Sequence, residues 1–384
     1  MSESKEQRLW QACTEGDLEV VKELGNDLSV DVNWGDSEYG RTPLYRACGH
    51  GRTSVVEYLV TIPGIDLHKP NSEGGTPFII ACQEGHQEIV RCLLKTEGIA
   101  CDAAEKGGCT PLNMACQNGQ KEIVALLLAD PRVDPNRANN RGSTPFWKAC
   151  QDGHKEVVSL LLADPRVDPD RQNDNATTPF LIACENGHKG VVSMLLADPR
   201  IDPNKPKGNQ STSLWFASQN GHLVVVQLLL ASDREIHTRM RSTLNDRTAA
   251  EQGRAMDART KRAVDTEEDH QRKKTYGPLC ADLIDQYEGD PVAVRHRLRR
   301  QRGVREDFIG HLFALVVFHT DNFVVIRENE VHADTRRFFT ICARFPLDLQ
   351  MLLCNRAFGS AKDIVPSRDS EPGFKWLART TSWE

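Results

Sequence analysis

The chain has 384 residues, of which 39% are hydrophobic and 27% charged, with a formal net charge of −6. This is a soluble, globular composition with room for two or three domains, and it excludes a fibrous protein. The acidic balance argues against wholesale nucleic-acid binding, because neutralising phosphates takes an excess of Lys and Arg. The opening stretch MSESKEQRLW is charged and lacks an apolar run followed by small residues, so no secretory signal is expected. The longest apolar run, FIGHLFALVVF at 308–318, is interrupted by His311 and falls short of the roughly 20 residues needed to cross a hydrocarbon core. It is read as a buried helix, so no membrane span is expected.

Thr42–Pro43, Thr76–Pro77, Thr110–Pro111, Thr144–Pro145 and Thr178–Pro179 stand 34 residues apart, and Thr212–Ser213 continues the series without its proline. Each pair predicts a helix start: the threonine can cap free amides, and a proline at the first helical position gives up a donor that has no partner there. Short helices such as PFIIACQE follow. Each is ended by a glycine nine residues after the threonine (Gly51, Gly85, Gly119, Gly153, Gly187, Gly221), where positive φ closes a helix cheaply. A second helix then carries apolar residues at i, i+1 and i+4, from Val55, Val56 and Leu59 through Ile89, Val90 and Leu93 to Val225, Val226 and Leu229. That spacing makes one apolar stripe. The unit closes on a turn-rich loop, nearly identical in LLADPRVDPN (127–136), LLADPRVDPD (161–170) and LLADPRIDPN (195–204), whose prolines forbid helix.

Nothing within one 34-residue unit can cover such a stripe. Ordering costs about 1–2 kcal/mol per residue while each buried Val or Leu returns roughly 1.5–3 kcal/mol, so the units are expected to stack around a shared core. The cysteines follow the same register: Cys48, Cys82, Cys116, Cys150 and Cys184 are 34 apart, and Cys13 precedes them by 35. One thiol per equivalent site predicts buried free cysteines, not disulfides, in a reducing compartment. The cytoplasm is expected, with the nucleus as the alternative.

TPLYRACGHGRTSVVEYLV (42–60) and TPFWKACQDGHKEVVSLLL (144–162) resemble ankyrin repeats in the Thr-Pro start, the alanine five residues on, the Gly-His turn and the paired valines. The resemblance spans about residues 8–231 and begins with a polar, cap-like unit, LWQACTEGDLEVVKEL. It implies an all-α fold, a helix-turn-helix solenoid with β-hairpin-like loops, that binds protein without a cofactor. The sequence departs from the pattern three residues after each threonine, where Tyr45, Ile79, Asn113, Trp147, Leu181 and Trp215 stand in place of the usual histidine. The departure bears on that histidine's hydrogen bond and not on the fold.

After Leu230 the register fails. RTAAEQGRAM (247–256) and CADLIDQY (280–287) resemble the two helices of a terminal repeat. Thr248 and Cys280 are 32 apart where Thr76 and Val90 are 14 apart, so about 18 extra residues intervene. The insert includes TEEDHQRKK, a mixed-charge run read as a helical extension, with a flexible loop as the alternative. DPVAVRHRLRRQRG then predicts a helix capped by Asp290, with Pro291 first and Gly303 past its end. The expected organisation is 1–231 for a capping unit and six regular repeats, 232–288 for a divergent last repeat, 289–366 for a small helical C-terminal domain and 367–384 for a loose tail.

Cys82 and His86, Cys150 and His154, and Cys184 and His188 share a four-residue spacing. The glycine between them reverses the chain, however, and each set offers two ligands where structural zinc needs four. The sequence shows no phosphate-cradling glycine loop, paired-His metalloprotease motif or serine elbow, so no catalytic or metal site is assigned and a non-enzyme is expected. Arg295, Arg297, Arg299, Arg300 and Arg302 form one dense basic cluster. At helical spacing they cannot all face one way, which favours a solvated helix over a site for nucleic acid, acidic lipid or an import factor. RFPLDLQMLLC (344–354) resembles the tail of the SOCS box found after ankyrin repeats in some ubiquitin-ligase adaptors, and supplies the alternative reading of an adaptor that recruits a second component.

Repeats of this kind imply a partner held on a concave face built from loop tips and the exposed sides of the first helices. Seven and eight residues after each threonine stand Gly49 and His50, Gln83 and Glu84, Gln117 and Asn118, Gln151 and Asp152, Glu185 and Asn186, then Gln219 and Asn220. Twenty-seven residues after it stand Lys69, Ala103, Arg137, Arg171 and Lys205, a basic row. Tyr39, Arg41, Trp147 and Trp215 complete the candidate contacts as aromatic and arginine anchors. The two tryptophans have an alternative role, filling the space of the missing histidine. The expected protein is a monomer that binds an unnamed protein.

Overall fold

The structure is a computed structural model that describes residues 3–255 and 266–300. The helices come as antiparallel pairs: α1 (Lys5–Glu15) with α2 (Leu18–Gly25), α3 (Pro43–Gly49) with α4 (Thr53–Leu59), α5 (Pro77–Glu84) with α6 (Gln87–Lys95), and α7 (Pro111–Gln117) with α8 (Lys121–Ala129). They continue as α9 (Pro145–Asp152) with α10 (Lys155–Ala163), α11 (Pro179–Asn186) with α12 (Lys189–Ala197), α13 (Ser213–Gln219) with α14 (Leu223–Ala231), and α15 (Ala249–Arg254) with α16 (Glu267–Gly289). A last helix, α17, spans Pro291–Arg300. First helices pack on first helices from α1 to α15, and second helices on second helices from α2 to α16. The result is an all-α solenoid. Among the described residues there is no strand, only an isolated bridge between Ser242 and Arg247.

The local chemistry is the predicted one. Thr42, Thr76, Thr110, Thr144, Thr178 and Thr212 each accept a hydrogen bond from the amide three residues on, and Thr248 does the same for α15. Leu44, Ala47 and Cys48 on α3, with Val55, Val56 and Leu59 on α4, are fully buried, and their counterparts repeat through the stack. The column from Cys13 to Cys184 lies inside this core as free thiols. Burial pushes every thiol in the column up, Cys13 to about 12, so none offers a thiolate.

The residues in the histidine slot have their own solutions. Asn113, fully buried, closes a capping box by accepting from the Thr110 amide at 2.9 Å. Trp147 is 8% exposed and reaches the next repeat, donating from Nε1 to Thr177 O at 3.0 Å. Trp215, at 2%, packs edge-on to Phe216 with ring centroids 5.0 Å apart, and its Nε1 has no hydrogen-bond partner among the described residues.

The repeated decapeptide joins each unit to the one before it. Val133, Val167 and Ile201 are buried plugs between repeats. Arg132, Arg166 and Arg200 each pair with the aspartate two residues earlier, and each also donates from Nη2 to a carbonyl in the last turn of the preceding second helix: Leu94 O, Leu128 O and Leu162 O. Helix ends leave such carbonyls without intrahelical partners, so one arginine closes a bond its neighbour cannot make alone. At the end of the decapeptide, the Asn136 side chain donates to Arg166 O at 2.6 Å and accepts from the Asp168 amide at 2.9 Å. The loop tips are hairpin-like: Asn139 N donates to Ser143 O within one loop, and Asn140 N to Gly107 O of the loop before it.

Gly119 has two reasons to be glycine. Its φ is +70°, and an added Cβ would lie 2.5 Å from Nδ1 of His154 in the next repeat. His154 in turn donates from Nε2 to Gln117 O at 2.8 Å, so the missing side chain is what lets the two turns meet.

TEEDHQRKK forms the first part of α16, as the helical extension predicts, and Cys280, Ala281 and Ile284 carry its buried stripe further on. Helix α17, placed by the sequence reading at the start of a C-terminal domain, packs on α14 and α16 with Val294 and Leu298 buried. The helices expected between 304 and 365, the SOCS-like stretch and the tail lie outside the described residues.

Two consequences are measurable by urea denaturation. Arg166→Ala should cost about 1 kcal/mol, and Arg166→Lys should recover little of it, because a single ammonium cannot serve both the Asp164 carboxylate and Leu128 O as the planar fork does. Gly119→Ala should destabilise by about 1–3 kcal/mol, with a smaller penalty in a His154→Ala background, since part of the cost is the collision and part is φ.

Candidate functional site

The eighth residue after each threonine sits at the open end of a first helix. His50, Glu84, Asn118, Asp152 and Asn186 are all exposed there, while Gln83, Gln117, Gln151 and Glu185 beside them are half-buried. The solenoid therefore presents one polar row with a repeat-to-repeat spacing. Below it runs a second, structural row: His86, His154, His188 and His222 donate from Nε2 to the carbonyls of Gly49, Gln117, Gln151 and Glu185, each 37 residues earlier, and Gln120 does the same to Gln83 O. These bonds fix the distance between successive members of the exposed row.

Toward the C-terminal end the row deepens into a groove of about 560 Å³. Its floor is Gln151, Asp152, His154, Glu185, Asn186, His188, Asn220 and His222, and its wall is Asp269, Arg272 and Lys273 from α16. The wall belongs to the charged insert that separates the last two repeat helices in sequence. Arg272 is anchored twice, by Asp269 at 2.6 Å and by Asn220 O at 3.1 Å. Asp152 lies against the groove and burial raises its carboxyl above the usual range, while Lys148, His154 and His188 pull the other way. His222 is held down at about 4, first by burial and then by the nearby Arg272 cation.

At the N-terminal end the first loop supplies an aromatic and arginine cluster. The Arg41 guanidinium lies 4.5 Å from the Tyr39 ring centroid and pairs with Asp36 at 2.9 Å. Trp10 donates to Arg41 O, and Arg46 sits 4.4 Å over its ring. Tyr39 is 41% exposed. Trp10, Arg46 and the α16 wall are not among the candidates that the sequence suggests. Trp10 lies in the irregular capping unit and the wall in the insert, so neither falls on the 34-residue period that singles out the other candidates.

The basic row turns inward. Lys69, Arg137, Arg171 and Lys205 donate to Asn33 O, Asp102 O, Asn136 O and Asp170 O of the preceding repeat, so each is already engaged within the stack. Trp147 and Trp215 are buried and present no surface. The basic cluster also divides: Arg295 donates to the Tyr287 hydroxyl, Arg297 to Gln286 and Arg299 to Ala231 O and Asp233. Arg300 ends α17, and Arg302 lies outside the described residues. Among the described residues no group of three or more His, Cys, Asp or Glu is arranged to hold a metal ion, and no helix is long and apolar enough to cross a membrane.

Paired helices of this length, stacked in one direction with looped tips and a Gly-His turn, define a helical-repeat protein. The family described as Ankyrin repeats (3 copies) matches residues 2–71, 62–139 and 131–207, more than half of the chain, and the protein belongs to the ankyrin-repeat family. The human protein named Ankyrin repeat domain-containing protein 7 is 43% identical over 53 residues. That stretch is 14% of this chain, and it covers only 20%, a fifth, of the relative's length. Ankyrin repeats are protein-protein interaction modules.

The His222 site gives a pH dependence. The ring is neutral in the fold at a pH where an unfolded histidine, near 6.5, would take a proton, so protonation favours the unfolded chain. The stability involved is fully present above pH 6.5 and is lost as pH falls toward 4. Between these limits the wild type should lose about 1–3 kcal/mol more than His222→Gln, whose side chain reproduces the donor seen at Gln120 without titrating. Chemical denaturation of both proteins at pH 7 and pH 4.5 reads the difference.

Proposed function

We propose that the protein is a non-catalytic interaction module that holds a partner protein on the concave side of the stack, across the polar row and the groove at its end. The observation carrying this reading is the row itself: five exposed residues, His50, Glu84, Asn118, Asp152 and Asn186, recur on one face, and the histidine ladder beneath them makes their spacing rigid. A preorganised surface loses less conformational entropy on binding than a mobile one. Tyr39, on the first loop, adds an aromatic contact of the kind enriched at the centre of interfaces. The inward-turned basic row, with Lys69, Arg137, Arg171 and Lys205, supports that surface by fixing the loops.

The test is site-specific photocrosslinking in cells. A crosslinking residue at Asn118 or Asn186 should capture a protein adduct, and one at the outward positions Glu122 or Glu156 of the second helices should not. Reversing charge at Glu84 and Asp152 together should reduce adduct yield about tenfold or more. Equal yields from both faces would end the assignment.

A further inference from the structure

The groove beside α16 has a chemical bias that the rest of the row lacks. Its charged lining contains three carboxylates, Asp152, Glu185 and Asp269, against two cations, Arg272 and Lys273. Asp269 is committed to Arg272, which also serves Asn220 O. Glu185 and Lys273 each have interactions of their own. Asp152 has neither a hydrogen bond nor an ion pair to its carboxylate within the described residues, and only the field of Lys148, His154 and His188 acts on it. Next to it the Gln151 Oε1 atom is buried and accepts no hydrogen bond. The histidines in the floor donate to neither, because His154, His188 and His222 spend their Nε2 protons on Gln117 O, Gln151 O and Glu185 O. Two adjacent acceptors without donors, beside the α16 wall of an open groove, suit a ligand that brings N–H groups and positive charge. An anion would meet Asp152 uncompensated.

We propose that this groove receives a lysine or arginine side chain from an extended segment of the partner protein. This rests on the protein-binding reading and adds the partner's chemistry to it. Spacing along the row adds a second element. Packed helices lie about 8–10 Å apart and an extended chain advances about 3.3 Å per residue, so residues roughly three apart on a bound strand meet successive repeats. The acidic positions of the exposed row, Glu84 and Asp152, are two repeats apart, with Asn118 between them. The matching segment therefore carries basic residues about six positions apart.

The experiment uses the full chain and a fluorescein-labelled 14-residue peptide of Gly, Ser and Ala with two arginines six positions apart, read by fluorescence polarisation. Saturable binding is expected, weakened roughly tenfold when both arginines become glutamine, and roughly tenfold by Asp152→Lys with unchanged thermal midpoint. Because lysine at 152 introduces a new charge, Asp152→Ser and Glu84→Ser are measured beside it, and each should weaken binding several-fold. Affinity should fall as salt rises from 50 to 300 mM, within the range where charge attraction is screened. Equal binding of the glutamine peptide, no effect of the 152 substitutions, or saturable binding of spermine with none of the arginine peptide would overturn the proposal. If crosslinks form from Asn118 while the 152 variants bind as the wild type does, only the basic-segment claim fails. If no adduct forms from the row, the binding-face reading fails with it.

Discussion

No repeat in this chain can finish its own hydrogen bonds. Carbonyls in the last turn of a helix have no partner within it and must find one elsewhere. Here the partner comes from the following unit: an arginine for Leu94 O, Leu128 O and Leu162 O, and a histidine for Gly49 O, Gln117 O, Gln151 O and Glu185 O. The same junctions bury the valine stripes and the cysteine column. Polar and apolar terms therefore act at one interface, and a unit without its successor loses both at once. The regular surface spacing on which recognition depends follows from this, since the exposed row is attached to the very turns that these bonds lock.

The ends of the stack need different chemistry. At the start, α1 and α2 put Leu9, Cys13 and Val21 inward and keep charged residues outward. At the other end α15 and α16 occupy the seats of a further repeat. There the backbone of Arg272 and Lys273 lies against Gly221 where most regular repeats bring a histidine, and Arg272 bonds Asn220 O, one residue beyond the counterpart of the carbonyls that the histidines take. Helix α17 then covers part of α14 and α16. The longer α16 is thus both a closing piece for the core and a wall for the surface, which is why the groove lies at that junction.

How far the sequence could be read depended on whether a residue answered to the 34-residue period. Threonine caps, glycine turns and apolar stripes answer to it directly, because each is dictated by local backbone geometry. The direction of a long side chain does not. Lys69 and Arg137 look in sequence like members of an outward basic row, yet their tips find carbonyls one repeat back. Trp147 reads equally well as an anchor or as filler, and only packing decides that it is buried. The groove was hidden for a different reason: its wall comes from Asp269, Arg272 and Lys273, about 50 residues beyond Asn220 in a segment with no counterpart in the regular units. Neither composition nor spacing says where such a segment will come to rest.

The near-identity of the three decapeptides has a consequence for how such a chain can change in length. Junctions held by the Arg132, Arg166 and Arg200 staples are interchangeable parts: the same donor, the same acceptor and a buried β-branched plug occur at each. A whole central unit could be gained or lost by recombination while both resulting seams stayed native in form. The irregular termini have no such freedom, because Trp10 and Arg272 each fit a single neighbour. The geometry of the seams thus allows the reach of the stack to change from its middle, and ties down the two ends that frame it.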